Sequence, residues 1–386
     1  MRRSKRAMKI AQIAPLDERV PPHWYGGTER IVSYLTEELV SQGQDVTLFA
    51  SGDSLTRARL IAPCERSLRL DSDCKIPLLP HVLQLDQVLQ KAGAFDVIHF
   101  HTSFLHFPFA RRLGRRHVTT LHGRLDLPEL FRFFGEFGEV PVVSISNSQR
   151  RPLPTINWQG TVYHGLPSKL YDVSTSEGTY LAFVGRVCPE KRLDRAIEIA
   201  KRANMKIKIA AKVDPTDKHY METTIRPLLD HPLVEFIGEI GEEEKQAFLG
   251  NAYALLFPID WMEPFGLVMI EAMACGTPTI AFPCGSVPEV IDPGVTGFIV
   301  ENIESAVKAL EQVPRFDRMR CREIFEARFS AERMATDYLT IYESCVDAKR
   351  RARPAMVRPK EKSMSHTKHW PLIALGQPPR GSRVIK

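Results

Sequence analysis

Two glutamates eight positions apart, Glu263 and Glu271, are the side chains in this sequence that are best placed to do chemistry. Between them lies Pro264-Phe265-Gly266, where proline fixes φ and glycine tolerates any φ, so the sequence predicts a turn. The apolar run that follows predicts a helix closed by Gly276 and Pro278. Carboxylates commonly accept hydrogen bonds from sugar hydroxyls. A ligand at the start of this helix would therefore meet both carboxylates.

The start of this predicted helix suits an anion. Its unpaired backbone N–H groups are those near Phe265, Gly266, Leu267 and Val268. Together with the positive pole of the helix dipole, they favour a phosphate ligand. Alternatively, Glu263 only interacts with the dipole and Glu271 is solvated. Glu271, however, lies inside the apolar run Leu267–Cys275, where an unpaired buried carboxylate is costly, and a binding function is favoured.

A second anion-binding element is predicted where the apolar strand Tyr180–Val184 leads into a glycine turn and a helical pattern. Two cations, Arg186 and Lys191, lie beside the turn. Cations oppose the dipole at the start of a helix, so their position there suggests an anionic ligand instead of simple solvation. The planar fork of Arg186 and the point charge of Lys191 could neutralise a diphosphate without a metal ion.

The first half of the chain carries a weaker signal of the same kind. Lys9–Ala14 and Val46–Ala50 predict buried strands, and Gly26 and Gly27 precede a helical pattern between them. Paired glycines at a strand-to-helix turn let the backbone approach a phosphate or sugar, although a plain turn is equally consistent. The sequence contains no G-x-G-x-x-G fingerprint for a dinucleotide.

Histidines mark predicted strands in the same half. His122 follows an apolar strand, and ligands of open parallel sheets bind beyond the carboxyl ends of the strands. We therefore expect His122 to face the ligand, against the more common case of a purely structural histidine. His99 and His101 alternate along another strand. Without a third ligand at credible spacing, we interpret them as packing and hydrogen-bonding residues instead of a metal pair.

Strands alternate with helices in both halves of the chain, which predicts an α/β fold of two doubly wound parallel sheets. A length of 386 residues also favours two domains. We place the first domain at residues 1–173 and the second at 179–329, with a polar linker between them. A terminal helix is predicted at 330–348, capped by Ser330 and crossing back to the first domain. Residues 349–386 are expected to be disordered.

The net charge of +6 comes from the end of the chain. Residues 349–386 contain 11 Lys and Arg against Glu361 alone, so residues 1–348 carry −4, and nucleic acid is not an expected partner. The tail is interpreted as solubilising, with peripheral contact to anionic lipid headgroups as the alternative. Seven scattered cysteines, the absence of an apolar run of 18 residues and a start that is not a signal peptide predict a cytoplasmic protein.

These motifs resemble a known family. The letters EPFG and EAMACGTP around the two glutamates are similar to the E-x(7)-E motif of retaining glycosyltransferases of the GT-B fold, family 4. GR followed by EK at 185–191 resembles the phosphate-binding loop of that family, and TLHG at 120–123 resembles its TxHG. Residues 285–289 and 297–300 also look like family landmarks, which we interpret as structural. The resemblance extends over roughly residues 8–345 and is weakest in the first half.

The resemblance implies two Rossmann-like domains that face a cleft, and transfer of a hexose from a nucleoside diphosphate sugar, with retention and without metal or cofactor. It implies that Glu263 holds hexose hydroxyls, Glu271 the ribose, and His122 the sugar from the opposite domain. The predicted catalytic residues are Glu263, His122, Arg186 and Lys191. The predicted donor-binding residues are Gly26, Gly27, Ile240 in the nucleobase loop, Phe265, Gly266, Leu267, Val268 and Glu271.

Two other functions remain open from the sequence. A nucleotide-sugar epimerase can share this fold, but it needs further acid–base residues that we do not find. A non-catalytic sugar-nucleotide-binding protein would not need the charged set, which is present in full. The sequence identifies neither the acceptor, nor the base and sugar of the donor, nor the oligomeric state.

Overall fold

The computed structural model describes residues 6–24, 26–102 and 104–351. Within these ranges, seven parallel strands form a first sheet: β1 (Lys9–Ile13), β2 (Asp45–Phe49), β3 (Arg59–Ile61), β4 (Val97–Phe100), β5 (His117–Thr120), β6 (Val142–Ser144) and β7 (Trp158–Thr161). Six form a second: β8 (Tyr180–Arg186), β9 (Ile207–Lys212), β10 (Val234–Gly238), β11 (Ala252–Phe257), β12 (Thr279–Ala281) and β13 (Gly297–Ile299).

Helices connect these strands. Those of the first half are α1 (Gly27–Ser41), α2 (Leu78–Lys91), α3 (Phe107–Leu113), α4 (Pro128–Phe137) and α5 (Asn147–Arg150). Those of the second half are α6 (Leu193–Arg202), α7 (Lys218–Tyr220), α8 (Arg226–Leu229), α9 (Glu242–Gly250), α10 (Leu267–Ala274), α11 (Val287–Val290), α12 (Ile303–Leu310), α13 (Arg318–Arg328) and α14 (Ala331–Arg351). The predicted alternation of strands and helices is confirmed.

The strand orders are β3-β2-β1-β4-β5-β6-β7 and β10-β9-β8-β11-β12-β13. In each sheet the order reverses beside one central strand, because β1 lies between β2 and β4, and β8 lies between β9 and β11. Such a reversal opens a crevice at the carboxyl ends of the strands, where ligands of open α/β sheets bind. Each domain therefore contributes one crevice.

Helices cover both faces of the first sheet. Ile10 of β1 packs in a cluster with residues of α1 and α14, whereas its neighbour Ala11 packs with residues of α2. Successive side chains of a strand point to opposite faces, so these helices lie on opposite sides. The sheet is therefore doubly wound, as predicted.

The terminal helix α14 belongs to the first sheet by its packing. Met334, Tyr338 and Tyr342 are fully buried in the cluster that contains Ile10 and other first-sheet residues. The helix continues through residues 349–351, which were predicted to belong to the disordered tail, because Lys349, Arg350 and Arg351 are of types that favour helices. Residues 352–386, with the predicted disorder and lipid contact, lie outside the described residues.

A carboxylate of the second domain contacts the first domain directly. Glu289 of α11 accepts hydrogen bonds from the backbone N–H groups of Asn147 and Ser148, at 2.7 and 2.6 Å. The hydroxyl of Tyr163 donates to the same carboxylate at 2.9 Å. A negative charge at the start of α5 is favourable for the helix dipole. This contact joins the two domains at one side of the cleft.

Candidate active site

A cavity of about 390 Å³ lies between the two domains, at the carboxyl ends of β1 and β8. A volume of this size is sufficient for a small-molecule ligand. The walls include all twelve residues predicted from the sequence: Gly26, Gly27, His122, Arg186, Lys191, Ile240, Glu263, Phe265, Gly266, Leu267, Val268 and Glu271. The structure therefore brings together residues from both halves of the chain. Their functions remain predictions.

The first turn of α10 forms one wall of the cavity. Gly266 precedes it with a left-handed φ of 80°, which favours glycine. The carbonyl of the buried Phe265 accepts a hydrogen bond from Ser286 Oγ at 2.7 Å, which holds the turn in place. No side chain among the described residues caps the helix. The first amides, at Leu267 and Val268, are thus available to an anion in the cavity.

Glu263 lies beside this helix start and is only 8% exposed. Its carboxylate forms an ion pair with Lys191 and accepts a hydrogen bond from Trp261 Nε1 at 3.0 Å. The Lys191 ammonium also lies 5.3 Å from the centre of the Trp261 ring. The backbone of Glu263 packs against Gly285, where a Cβ would lie 2.3 Å from Glu263 N. Glu263 is therefore fixed at both its side chain and its backbone.

Glu271 is buried, at 3% exposure, and its Oε1 accepts a hydrogen bond from Lys245 Nζ at 2.8 Å. Lys245 belongs to α9 and lines the same cavity. The sequence analysis missed it, because the charged residues 242–245 are typical of a solvated helix face. The position of Glu271 within an apolar run did indicate that a partner was needed. It did not indicate which cation provides it.

An ion pair between a buried arginine and a partly buried glutamate crosses the cleft. Arg30 of α1 pairs with Glu242, the first residue of α9, and the hydroxyl of Tyr171 donates to the same carboxylate. Arg30 Nη2 also donates to the carbonyl of Trp24 at 2.8 Å. These bonds tie the glycine loop of the first domain to α9 of the second. The sequence analysis did not identify this pair, since both residues resemble ordinary helix-surface charges.

Arg186 ends β8 and lines the cavity, with its Nε 3.3 Å from Asp217 Oδ2. Burial raises the pKa of Asp217 above its usual value, and the Arg186 charge opposes that rise. Arg186 and Lys191 therefore both line the cavity, and each contacts a carboxylate. These contacts orient the two cations in the cavity wall.

The glycine loop closes the cavity on the side of the first domain. Gly27 is the first residue of α1, and a Cβ on it would lie 3.4 Å from Leu267 Cδ1. The loop thus lies directly across from the start of α10. A Cβ on Gly26 would meet Pro22 at 2.8 Å, so a larger residue would displace the loop. Ile240, after β10, lines the cavity on the opposite domain.

His122 follows β5 on the wall of the cavity, and its Nε2 lies 2.9 Å from Nδ1 of His101. The ring of His164 stacks on it with a centroid distance of 5.3 Å. Burial lowers the pKa of His122 to about 3, so its ring is neutral at physiological pH. His99 and His101 form hydrogen bonds, as predicted. Among the described residues no group of His, Cys, Asp or Glu is suited to bind a metal ion.

Glu29 is a buried carboxyl in the cavity wall that the sequence analysis missed. It is 7% exposed, and burial, reinforced by the nearby Asp17 and Glu18, raises its pKa to about 7 from a reference value of 4.5. Because the pKa of Glu29 is higher in the folded state, the folded state binds more protons than the unfolded state between pH 4.5 and about pH 7. The stability of the protein should therefore fall as pH rises from 4.5 to 7.

Replacing Glu29 with glutamine should remove this pH dependence. We expect Glu29→Gln to be more stable than the parent above pH 7 by up to about 3 kcal/mol, and similar to it near pH 4.5. Melting temperatures of both proteins at pH 5 and pH 8 measure the difference. Glu38→Gln, on the same helix but partly exposed, serves as the control. An equal pH dependence in the parent and Glu29→Gln would contradict the prediction.

Comparisons with known proteins identify the family of this chain. The model of the glycosyl transferases group 1 matches residues 173–323, and that of glycosyltransferase family 4 matches residues 25–157. The N-acetyl-alpha-D-glucosaminyl L-malate synthase of Bacillus anthracis is 30% identical over 304 residues, which cover 67% of this chain and 77% of that protein. This chain belongs to the group 1 glycosyltransferases.

Other similarities differ in how far they extend. An uncharacterized 41.2 kDa protein in the cps region of Klebsiella pneumoniae is 30% identical to this glycosyltransferase over 171 residues, which cover 42% of this chain and 46% of that protein. The crystal structure of an Anabaena protein in complex with UDP and glucose matches with a TM-score of 0.68 at 17% identity, covering 87% of this chain and 100% of that chain. The glycosyltransferase therefore has the GT-B fold of two Rossmann-like domains.

None of the helices within the described residues of this glycosyltransferase combines the length and the apolar content required to cross a membrane.

Proposed function

We propose that this glycosyltransferase transfers a hexose from a nucleoside diphosphate sugar to an acceptor hydroxyl, with retention of configuration and without a metal ion. The proposal rests on one observation: the uncapped start of α10 shares a cavity with Arg186 and Lys191. Fixed amide dipoles and cations stabilise charge that develops on a leaving group. A departing diphosphate is such a group.

The carboxylates in the same cavity suit the remainder of the donor. Glu263, fixed by Lys191 and Trp261, would accept hydrogen bonds from hexose hydroxyls. Glu271, fixed by Lys245, would accept them from the ribose. Ile240 would pack against the nucleobase. The binding of UDP and glucose by the Anabaena protein of similar fold supports a uridine donor as the first candidate.

Retention is proposed to follow from attack on the same face that the diphosphate leaves. The bond between the anomeric carbon and the phosphate oxygen breaks first and gives an ion pair. The acceptor oxygen then bonds to the anomeric carbon, and its proton passes to the departing phosphate oxygen. Arg186, Lys191 and the α10 amides hold that phosphate during both steps. Glu263 is paired with Lys191, so it is proposed to orient the sugar and not to form a covalent intermediate.

The proposal predicts a measurable stabilisation by nucleotides. A ligand that binds only the folded state stabilises it, by about 2.7 kcal/mol at 100 times its Kd. Among UDP, GDP and ADP, the nucleotide that matches the donor should therefore raise the melting temperature most. The same shift is expected in the presence of EDTA, since Arg186 and Lys191 supply the positive charge. Thermal-shift assays with each nucleotide, and then with its hexose derivatives, provide the measurement.

Three outcomes would contradict the proposal. If no nucleotide changes the melting temperature, the cavity does not bind a donor. Loss of the shift in EDTA would show that a metal ion is required. If donor alone yields an isomerised sugar, the protein is an epimerase of this fold and not a transferase.

A further inference from the structure

A chain of hydrogen bonds runs from α14 through the interior of the first domain to the cavity. It consists of four bonds: Tyr342 Oη with His99 Nδ1 (2.7 Å), Gln12 Nε2 with Tyr342 Oη (3.0 Å), His101 Nε2 with Gln12 Oε1 (2.8 Å), and His122 Nε2 with His101 Nδ1 (2.9 Å). Gln12, His99 and Tyr342 are fully buried, and His101 is 3% exposed. The chain therefore connects the terminal helix to His122 without passing through solvent.

The chain has a direction that follows from the chemistry of Gln12. Its amide oxygen can only accept, so Nε2 of His101 carries the hydrogen. A neutral imidazole has one N–H, so Nδ1 of His101 is an acceptor and Nε2 of His122 must donate to it. Nδ1 of His122 therefore carries a lone pair and no hydrogen.

Tyr342 and the Gln12 amide are coupled, because a hydrogen bond joins the tyrosine hydroxyl to the amide nitrogen. The tyrosine oxygen accepts from the Gln12 amide nitrogen and gives its own hydrogen to Nδ1 of His99. If the amide turned over, its nitrogen would face His101 and every donor toward the cavity would reverse. His122 would then present N–H at Nδ1. Amide and tautomer assignments follow from such networks of hydrogen bonds, so they can be tested directly.

Nδ1 of His122 is buried and has no hydrogen-bond partner among the residues that the structure describes. A buried acceptor left without a partner is costly, and such atoms in folded proteins call for an explanation. The ring lies on the cavity wall, and hydroxyl groups are the donors that a sugar offers. A ligand hydroxyl would satisfy the nitrogen.

We propose that Tyr342 and Gln12 act through His101 as positioning residues that hold His122 as the Nε2–H tautomer, so that its Nδ1 accepts a hydrogen bond from a hydroxyl of the bound sugar. The inference deepens the proposed function and rests on it for the identity of the ligand. The state of the His122 ring does not depend on the proposed function. It can therefore be tested in the free protein.

The charge state of the chain limits each of its histidines to one N–H. Burial lowers the pKa values of His99, His101 and His164 well below the usual range, and the neighbouring histidines lower that of His101 further. The positive charge of Arg333 also lowers the pKa of His164. Burial also raises the pKa of Tyr342, so its hydroxyl keeps its hydrogen. The three histidines of the chain and Tyr342 are thus neutral, and each of them has a single hydrogen to place.

The first test reads the tautomer of His122 in the unliganded protein. Nitrogen-15 chemical shifts of the imidazole distinguish a protonated from an unprotonated ring nitrogen, and comparison with His122→Gln assigns the signals. We expect protonated Nε2 and unprotonated Nδ1. A protonated Nδ1 would show that the chain runs in the reverse direction and would overturn the proposal, whether or not the protein transfers sugar.

The second test compares two hydroxyls of α14. Tyr342→Phe should release the Gln12 amide, give a mixture of His122 tautomers and lower kcat/KM by up to about tenfold, the equivalent of one hydrogen bond. Tyr338→Phe removes an equally buried hydroxyl on a side branch of the network, where Tyr338 bonds to Thr120 Oγ1 and Thr120 Oγ1 lies 2.7 Å from His99 Nε2. Because Tyr338 does not contact Gln12, its loss should leave both the tautomer and kcat/KM close to the parent.

Gln12→Met provides an independent variant if Tyr342→Phe does not fold. It removes the acceptor of His101 and should have the same two effects. Affinity for whichever of UDP, GDP and ADP binds should not change in these variants, since the chain does not reach the nucleotide side. Equal losses in Tyr338→Phe and Tyr342→Phe would show that the effect does not depend on the contact with Gln12, and would overturn the proposal. An unchanged tautomer and rate in Tyr342→Phe and Gln12→Met would also overturn the proposal.

Discussion

Lys191→Met is expected to lower kcat for sugar transfer by about 10²- to 10³-fold. The ammonium group lines the cavity at the start of α10 and pairs with Glu263. Its removal takes away a cation that we assign to the departing diphosphate. It also leaves the Glu263 carboxylate, which is 8% exposed, without its charged partner, so the carboxylate would move or bind a proton.

Initial rates at saturating donor measure this loss. Lys206→Met is the matched control, because Lys206 belongs to the same domain and is exposed outside the cavity. It should keep the parent rate. Lys191→Arg keeps the charge but changes the geometry, so it should fall between the other two. A parent-like kcat in Lys191→Met would remove this residue from the proposed mechanism.

Gly285→Ala is expected to reduce kcat by about 100-fold or more, although Gly285 itself supplies no side chain to the cavity. The φ of Gly285 is 61°, and a Cβ at this position would lie 2.3 Å from both the backbone N and O of Glu263. Backbone atoms cannot yield as a flexible side chain can. The segment that contains Glu263 would therefore shift, and Glu263 would lose its geometry relative to the donor sugar.

Gly294→Ala separates this displacement from simple backbone strain. Gly294 has a similar φ of 77°, but a Cβ there would meet no described atom within 4 Å. Both variants place alanine in the left-handed region, which costs roughly 1–2 kcal/mol. That cost should lower the melting temperature of both variants, and the 2.3 Å contact should lower that of Gly285→Ala further. Only Gly285→Ala should also lose activity, and equal activities in the two variants would contradict this interpretation.

Much of the fold and twelve residues of the cavity wall could be predicted from the sequence, because the signals are local. Apolar runs ended by glycine or proline predicted the strand before the Gly26 loop and the strand that reaches Gly185. The turn from Pro264 to Gly266 predicted the start of α10. Parallel strands bring their carboxyl ends to one edge of a sheet. Residues at those ends therefore converge in the structure without any knowledge of their contacts.

The partners of these residues could not be predicted. Lys245 pairs with Glu271 and Arg30 with Glu242, but each pair depends on how α9 approaches α10 and α1. No periodicity or spacing in one sequence records that approach. Glu29 was missed for a similar reason, since its raised pKa comes from burial and from Asp17 and Glu18, which lie twelve and eleven positions earlier in the sequence.

The packing of α14 limits how this protein can be divided. The chain passes from the first sheet to the second, and α14 then returns to complete the core of the first sheet with Tyr338 and Tyr342. An exchange of acceptor-side halves between related enzymes would thus require two junctions instead of one. A chimera joined only at the linker would combine the first sheet of one parent with the terminal helix of another. The hydroxyls of Tyr338 and Tyr342 would then face hydrogen-bond partners from a different protein.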